Sequence, residues 1–209
     1  GQPQPPQVPG YEVSAFYDAC EMLAGDLFQF TTPVQGSTGF FIADVAGHGL
    51  DAALMMAMTL KTLSMHARGR TSPAEVLSLV CHELTNDVPK GKFITALYAI
   101  LHEESGTLRF ARAGHNPAFL AQPARGKVTP LREGGLALGV CSPQLFTSKL
   151  KEGTAQLSPG DAVLFYTDGL VEAHSPDGTP FGEGRLCATF MQRSSQRSRL
   201  IIEGIVDEL

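Results

Sequence analysis

Three aspartates stand beside glycines at points where strands or turns are predicted to end. They are Asp26, Asp44 and Asp168, and each adjoins an apolar segment that can hold its backbone rigidly. Carboxylates that converge from distant parts of a chain suit hard divalent cations such as Mg²⁺ or Mn²⁺. One carboxylate can bridge two such ions about 3.5–4 Å apart, an arrangement that activates water for attack on a phosphoester. The three aspartates therefore predict a metal site, although Asp-Gly and Gly-Asp are also ordinary turn dipeptides.

Other polar residues near glycine or proline carry weaker signals. His48 lies between two glycines where a helix is predicted to begin, and it fits either a helix-start residue or a phosphate contact. His115 precedes an Asn-Pro turn and is equally ambiguous. Asp161 and Asp177 lie in plain turns, to which we assign no function.

The elements that must position these residues follow from the apolar pattern. Short apolar runs rich in strand-forming residues predict strands at 39–43, 94–101, 107–113 and 162–166. The second and third of these are joined by Glu104-Ser105-Gly106, which predicts a hairpin. Strands outnumber helices and hairpin-like neighbours dominate, so we expect an α+β fold with mainly antiparallel sheet and helices outside.

Three helices are predicted from apolar residues spaced three and four apart. The first begins at Leu50 and, because extra methionines widen its apolar face, is expected to be buried on most sides. The second begins with a capping box, Ser72-Pro73-Ala74-Glu75. The predicted apolar stripes of the three helices are Leu50, Ala53, Leu54, Ala57 and Met58; Val76, Leu77, Val80, Cys81 and Leu84; and Ile201, Ile202, Ile205, Val206 and Leu209.

Composition excludes several classes of protein. A chain of 209 residues with 43 % hydrophobic and 18 % charged residues is expected to form one folded domain. Its longest nearly apolar stretch, 52–60, is too short to cross a bilayer, and its net charge of −5 argues against nucleic-acid binding. Four widely spaced cysteines predict free thiols in a reducing compartment, which favours the cytoplasm.

The first ten residues differ from the rest of the chain. They alternate proline and glutamine, a composition typical of an extended linker that is not part of a core. The chain also begins without methionine. We therefore expect a linker at 1–10 and one domain at 11–209, with a further segment of the parent protein upstream.

Seven short motifs follow one another along the chain. The motifs are Gly25-Asp26, Asp44-x-x-Gly47-His48-Gly49, Phe93-Ile94-Thr95-Ala96, Ala113-Gly114-His115-x-Pro117, Pro159-Gly160-Asp161, Tyr166-Thr167-Asp168-Gly169-x-x-Glu172-Ala173 and Phe181-Gly182. Their order resembles a known family, the SpoIIE/RsbU-type branch of the metal-dependent (PPM-type) protein serine/threonine phosphatases. The resemblance runs from about Tyr11 to the end of the chain.

The resemblance implies a fold and a set of site residues. The fold is a four-layer α-β-β-α sandwich, with two mainly antiparallel sheets face to face and helices outside. Asp44 matches the aspartate that bridges two Mn²⁺ or Mg²⁺ ions, while Asp26 and the backbone carbonyl of Val45 match ligands of one ion. Asp168 matches the acid on the other ion. Independently of the resemblance, the segment Gly47-His48-Gly49 has a flexible backbone just after Asp44 at the start of a helix, so we expect it to contact substrate or to couple the metal site to regulation.

The resemblance also implies an activity and partners. Family members hydrolyse phosphoserine or phosphothreonine on small anti-anti-sigma (STAS-type) proteins by a metal-activated water, often under an upstream sensor or receiver domain. The sequence departs from the family pattern in lacking the final Asp-Asp-x-Thr segment, so we expect a domain without its C-terminal end. The alternative is a catalytically weak or inactive regulatory binding module of the same fold.

Overall fold

The structure is a computed structural model that describes residues 3–17, 25–47, 49–89, 91–175 and 178–209. Its larger sheet has five antiparallel strands, in the order β1-β2-β3-β4-β7. Strand β3 is buried along almost its whole length because it lies at the centre of this sheet and is covered on both faces. The strands are β1 (Asp26–Thr31), β2 (Ser37–Val45), β3 (Ile94–His102), β4 (Thr107–Ala113) and β7 (Glu152–Gln156).

A smaller sheet of three antiparallel strands, in the order β6-β5-β8, packs against the first. Its strands are β5 (Ala118–Gln122), β6 (Lys127–Leu131) and β8 (Ala162–Leu164). The predicted strands at 39–43, 94–101 and 107–113 lie within observed strands, and the last two form the predicted hairpin. The strand predicted at 162–166 is shorter than expected, since regular pairing ends at Leu164.

Helices cover the outer faces of both sheets. They are α1 (Leu50–Ala67), α2 (Pro73–Leu84), α3 (Pro143–Lys149), α4 (Asp168–Glu172), α5 (Gly182–Arg193) and α6 (Ser198–Val206). The capping box predicted for α2 is present in part: the Ser72 hydroxyl accepts a hydrogen bond from the Glu75 backbone N–H at 3.1 Å. The apolar stripe predicted for α2 is buried at every position, because all of its members face the larger sheet.

Three apolar layers alternate with the sheets and helices. One lies between α1, α2 and the larger sheet, and a second lies between the two sheets, where Phe40 and Phe165 stack with ring centroids 5.9 Å apart. A third lies between the smaller sheet and α5 and α6. Burying both faces of each sheet requires this arrangement of helix, sheet, sheet and helix. The α+β sandwich expected from the sequence is therefore confirmed.

Helix α1 buries a different face from the one predicted. The buried residues are Ala52, Met55, Thr59, Thr62, Leu63 and Ala67. Leu50 and Leu54, by contrast, are 69 % and 54 % exposed. The prediction was wrong because apolar residues occur all round this helix, so helical spacing alone fits more than one stripe.

The buried face of α1 can be tested with two matched substitutions on this helix. Leu63→Ala removes a side chain with no exposed area and is expected to lower the free energy of unfolding by about 2–5 kcal/mol. Leu54→Ala is expected to change the free energy of unfolding by less than about 0.5 kcal/mol, because its side chain lies mostly in water. Urea denaturation of both variants measures the difference, and equal losses would contradict the observed face.

The expectation that residues 1–10 stay outside the core is wrong at Val8. Its side chain is 5 % exposed and packs with the residues between the two sheets. A hydrogen bond of 3.0 Å from the Tyr11 N–H to the Val8 carbonyl forms a tight turn there. An apolar residue between prolines can thus pack into the layer between the sheets, although the described part of this segment, residues 3–10, forms no strand or helix.

Among the described residues, none of the helices is both long enough and apolar enough to cross a membrane.

Candidate metal centre

Two of the predicted site residues face each other across neighbouring strands. Asp26 is the first residue of β1 and pairs with Asp44, which stands one residue before the end of β2. Side chains alternate between the two faces of a strand, and the neighbours Ala43 and Val45 are buried under α1 and α2. Asp44 and Asp26 therefore share the opposite face, at the edge where the second sheet begins.

The third aspartate reaches the same place from the smaller sheet. Asp168 begins α4, just after the buried Tyr166 that follows β8. Carboxylate oxygens of Asp26, Asp44 and Asp168 all lie within 4.8 Å of one another. The Thr167 hydroxyl donates a hydrogen bond of 2.8 Å to Asp26 Oδ2, which ties the two sheets together at this point. The structure thus brings the three predicted aspartates into one cluster.

Electrostatics in the cluster favour a bound cation. The pKa of Asp44 is raised to about 6, mainly by burial and also by the carboxylates of Asp26 and Asp168, with a smaller contribution from Glu172. Burial likewise raises the pKa of Asp26, with Thr167 opposing the shift and Asp168 adding to it. Like charges held close together in a partly buried site cost free energy that a divalent cation would offset.

Gly25 leaves room for an additional oxygen ligand. A Cβ atom at this position would lie 2.6 Å from the Val45 carbonyl oxygen and 2.8 Å from Asp44 Oδ1. These two oxygens therefore lie against the same side of Gly25, where only a residue without a side chain fits. Carboxylate and carbonyl oxygens are the donors that Mg²⁺ and Mn²⁺ prefer. The residues present fit the implied metal, and their role as ligands stays a prediction.

The segment that follows Asp44 has a backbone that favours glycine. Gly47 and Gly49 have φ angles of 113° and 83°, which residues with a Cβ rarely adopt. A Cβ on Gly47 would lie 2.5 Å from Lys92 Nζ, so an ammonium group stands directly beside this segment. His48 lies outside the described residues, and the prediction made for it stays open.

The other polar residues considered from the sequence lie in a turn, in the buried interior or outside the described residues. The Asp161 carboxylate accepts a hydrogen bond of 3.0 Å from the Ser158 N–H, as expected for a turn, and Asp177 lies outside the described residues. His115 is buried within the fold, with 3 % of its surface exposed.

Two contributors to the site are members of the motif at 166–173 to which the sequence assigned no role of their own. Thr167 orients Asp26, and Glu172 adds negative charge near Asp44. The signal for Glu172 was its spacing, because it lies four residues after Asp168 on one face of α4. Thr167 stands in the same motif, but its hydrogen bond could not be predicted because Asp26 is far away in the sequence.

The raised pKa of Asp44 makes the stability of the metal-free chain depend on pH. Its folded-state pKa of about 6 lies above the ordinary value of 3.8. The contribution of this carboxyl to stability is therefore fully present at pH values below 3.8. That stabilisation is lost as pH rises through the folded pKa. We expect the free energy of unfolding to fall by about 1–2 kcal/mol. This is less than the pKa shift alone would give, because solvent screens a half-buried carboxylate. In EDTA, the melting temperature of the wild type should fall below that of Asp44→Asn as pH rises. A difference in melting temperature that does not change with pH would contradict the raised pKa of Asp44.

Comparison with known proteins identifies a family and relatives of this chain. Residues 35–209 match the family model for stage II sporulation protein E (SpoIIE). The chain is 27 % identical over 173 residues to the phosphoserine phosphatase RsbU of Bacillus subtilis, covering 83 % of this chain and 50 % of RsbU. The chain thus spans about half the length of this curated relative.

Two solved structures share the fold. The SiaA-PP2C domain of Pseudomonas aeruginosa superposes with a TM-score of 0.74 at 22 % identity, covering 89 % of this chain and 72 % of that one. The structure of the RsbU and RsbW domains of Rv1364c from Mycobacterium tuberculosis gives a TM-score of 0.75 at 24 % identity, covering 90 % and 52 %. With most of its length matched by the family model, the chain belongs to the SpoIIE family.

Proposed function

We propose that this domain is a Mn²⁺- or Mg²⁺-dependent protein phosphatase that hydrolyses phosphoserine or phosphothreonine on a regulatory STAS-type protein. The observation that carries the proposal is the convergence of three carboxylates from two sheets within 4.8 Å. Membership of a metal-dependent phosphatase family and similarity to a phosphoserine phosphatase support it.

Each residue of the cluster has a proposed role. The carboxylates of Asp26 and Asp168 both lie within 4.8 Å of Asp44 and both raise its pKa, and we assign Asp44 as the bridging ligand of two ions. Asp26 and the Val45 carbonyl would hold one ion, and Asp168 would hold the other. When bound, the ions supply an activated water and offset charge on the phosphoryl oxygens.

The protein's own groups prepare the site for a phosphorylated substrate. The Thr167 hydroxyl holds Asp26 in place. Gly47, His48 and Gly49 are proposed to form a substrate-binding or regulatory segment at the start of α1, and Lys92 adds a positive charge beside it. A small shift of α1 could move this segment and Asp44 together, which is a route for control by an upstream sensor or receiver domain.

A covalent mechanism through Cys81 is not supported. Burial raises the pKa of the Cys81 thiol to about 11, with Cys141 adding to the shift, so the thiol stays protonated near neutral pH. Cys81, Cys141 and Cys187 are free thiols, consistent with the cytoplasmic location that we propose.

The alternative is a regulatory binding module with little or no turnover. It is favoured by the small number of ligands in the cluster. Within the described part of the chain, three carboxylates would have to bind two ions. The second ion would then share Asp44 and add only Asp168. The two proposals differ in turnover and agree on binding.

One experiment separates them. Phosphate release is measured from p-nitrophenyl phosphate and from a phosphoserine-bearing STAS protein, with Mn²⁺ or with EDTA. The phosphatase proposal expects Mn²⁺-dependent release from both substrates. Binding of the STAS protein without release would favour the binding module, and release that persists in EDTA would contradict both.

A further inference from the structure

One buried histidine connects the two sheets behind the carboxylate cluster. His115 follows β4 and is 3 % exposed. Its Nδ1 lies 2.8 Å from Thr95 Oγ1, on β3 of the larger sheet. Its Nε2 lies 3.1 Å from the backbone carbonyl oxygen of Tyr166, just beyond β8 of the smaller sheet. Both ring nitrogens therefore have partners, one in each sheet.

The partners determine where the ring proton lies. A carbonyl oxygen only accepts hydrogen bonds. Nε2 therefore carries the ring proton and donates a hydrogen bond to the backbone carbonyl of Tyr166. Burial lowers the pKa of His115 to about 4, so the ring is neutral near neutral pH. The unprotonated Nδ1 then accepts a hydrogen bond from the Thr95 hydroxyl. With both nitrogens occupied, the ring has no free lone pair for a metal.

The two partners of His115 lie beside the proposed metal ligands. Thr95 pairs directly with Asp44 in the ladder between β2 and β3. Tyr166 precedes Asp168 by two residues, and its side chain is itself buried. The backbone of His115 is also held, because Arg112 Nη1 donates a hydrogen bond of 2.6 Å to its carbonyl oxygen.

We propose that His115 is a positioning residue that holds the Asp168 segment of one sheet at a set distance from the Asp44 strand of the other. Its hydrogen bonds join the same two sheets as the bond between Thr167 and Asp26, so within the described residues both connections hold this edge together. Carboxylates that share metal ions must stand within a narrow range of distances from one another. Residues that support the ligands from behind hold them within that range. The inference rests on the proposed role of the carboxylates as metal ligands.

The test removes each connection with little change in shape. Thr95→Val replaces the hydroxyl with a methyl group, and Thr95→Ser keeps the hydroxyl. His115→Phe removes both ring nitrogens, whereas His115→Gln keeps a donor close to the position of Nε2. Tyr98→Phe is the matched control, because it also deletes a buried hydrogen bond of the larger sheet, 2.8 Å to Thr31 at the far end of β1.

The main readout is Mn²⁺ binding by titration calorimetry. We expect Thr95→Val and His115→Phe to weaken Mn²⁺ binding about 10-fold, the range found when partners behind metal ligands are removed. Thr95→Ser and His115→Gln should recover most of the affinity, and Tyr98→Phe should bind Mn²⁺ like wild type. At saturating Mn²⁺, Thr95→Val should regain most of the wild-type kcat, since only the position of the ligands is disturbed.

A second readout does not depend on metal or activity. Nitrogen-15 NMR of the His115 ring should show the neutral form protonated on Nε2. Folded variants that bind Mn²⁺ as tightly as wild type would overturn the inference, as would an Nδ1-protonated ring or an equal loss of affinity in Tyr98→Phe. A wild-type chain that binds no Mn²⁺ would instead overturn the proposed function, and the role of His115 with it.

Discussion

Asp44→Asn is expected to reduce Mn²⁺-dependent hydrolysis of p-nitrophenyl phosphate by at least about 100-fold, because metal ions supply several kcal/mol of transition-state stabilisation. The side chain stands opposite Asp26 and within 4.8 Å of both other carboxylates, so in its proposed bridging role one substitution should weaken the binding of both ions. An amide of the same shape retains oxygen but loses the negative charge that offsets the cations. Initial rates across a Mn²⁺ titration measure the effect.

The same substitution should raise the melting temperature of the chain in EDTA. Without metal, the charged Asp44 is repelled by Asp26 and Asp168, and the neutral amide removes this repulsion. Asp87→Asn is the matched control, since Asp87 is exposed just after α2 and lies outside the cluster. A variant that keeps most of the wild-type rate would contradict the bridging role, whereas loss of both activity and folding would point to a structural role.

Gly25→Ala is expected to weaken Mn²⁺ binding by at least about 10-fold, since the added methyl displaces ligands from the metal site. The new Cβ would lie 2.6 Å from the Val45 carbonyl oxygen and 2.8 Å from Asp44 Oδ1, closer than nonbonded atoms approach. Backbone must move to relieve the first contact, and such overpacking typically costs about 1–3 kcal/mol. Titration calorimetry gives the affinity, and urea denaturation gives the stability.

Gly184→Ala is the matched control for this prediction. Nothing lies within 4 Å of a Cβ at Gly184, which is within α5. Alanine there is expected to add about 0.5–1 kcal/mol of stability, as it does in helices generally, and to leave Mn²⁺ binding unchanged. If Gly25→Ala binds Mn²⁺ as well as Gly184→Ala does, the Val45 carbonyl and Asp44 are not crowded around the ion as proposed.

Local signals in the sequence were reliable where neighbouring residues decide the structure. The capping residue Ser72 does start α2, and the residues around Gly106 do close the hairpin between β3 and β4. A cap or a tight turn depends on hydrogen bonds within a few residues, so its information is present in a short segment. The aspartates beside glycine could be selected as site candidates for the same reason.

Strand β7 shows where local signals end. Its sequence, Glu152–Gln156, has little strand-forming character, so the local pattern predicts no strand there. It is a strand because the edge of β4 offers unpaired backbone groups, and because Glu152 accepts hydrogen bonds from Ser72 and Arg109. Partners that are far apart along the chain supply both reasons.

By itself, the sequence determined which groups are available: three aspartates at strand and turn ends, a glycine-rich segment before a helix, and an ordered set of motifs typical of one family. Only the tertiary structure decided which face α1 buries, and that Asp26, Asp44 and Asp168 meet. The physical reason is strand register and sheet packing. A one-residue slip between β1 and β2 would turn one aspartate to the opposite face, and Asp168 arrives only because the second sheet packs against the first.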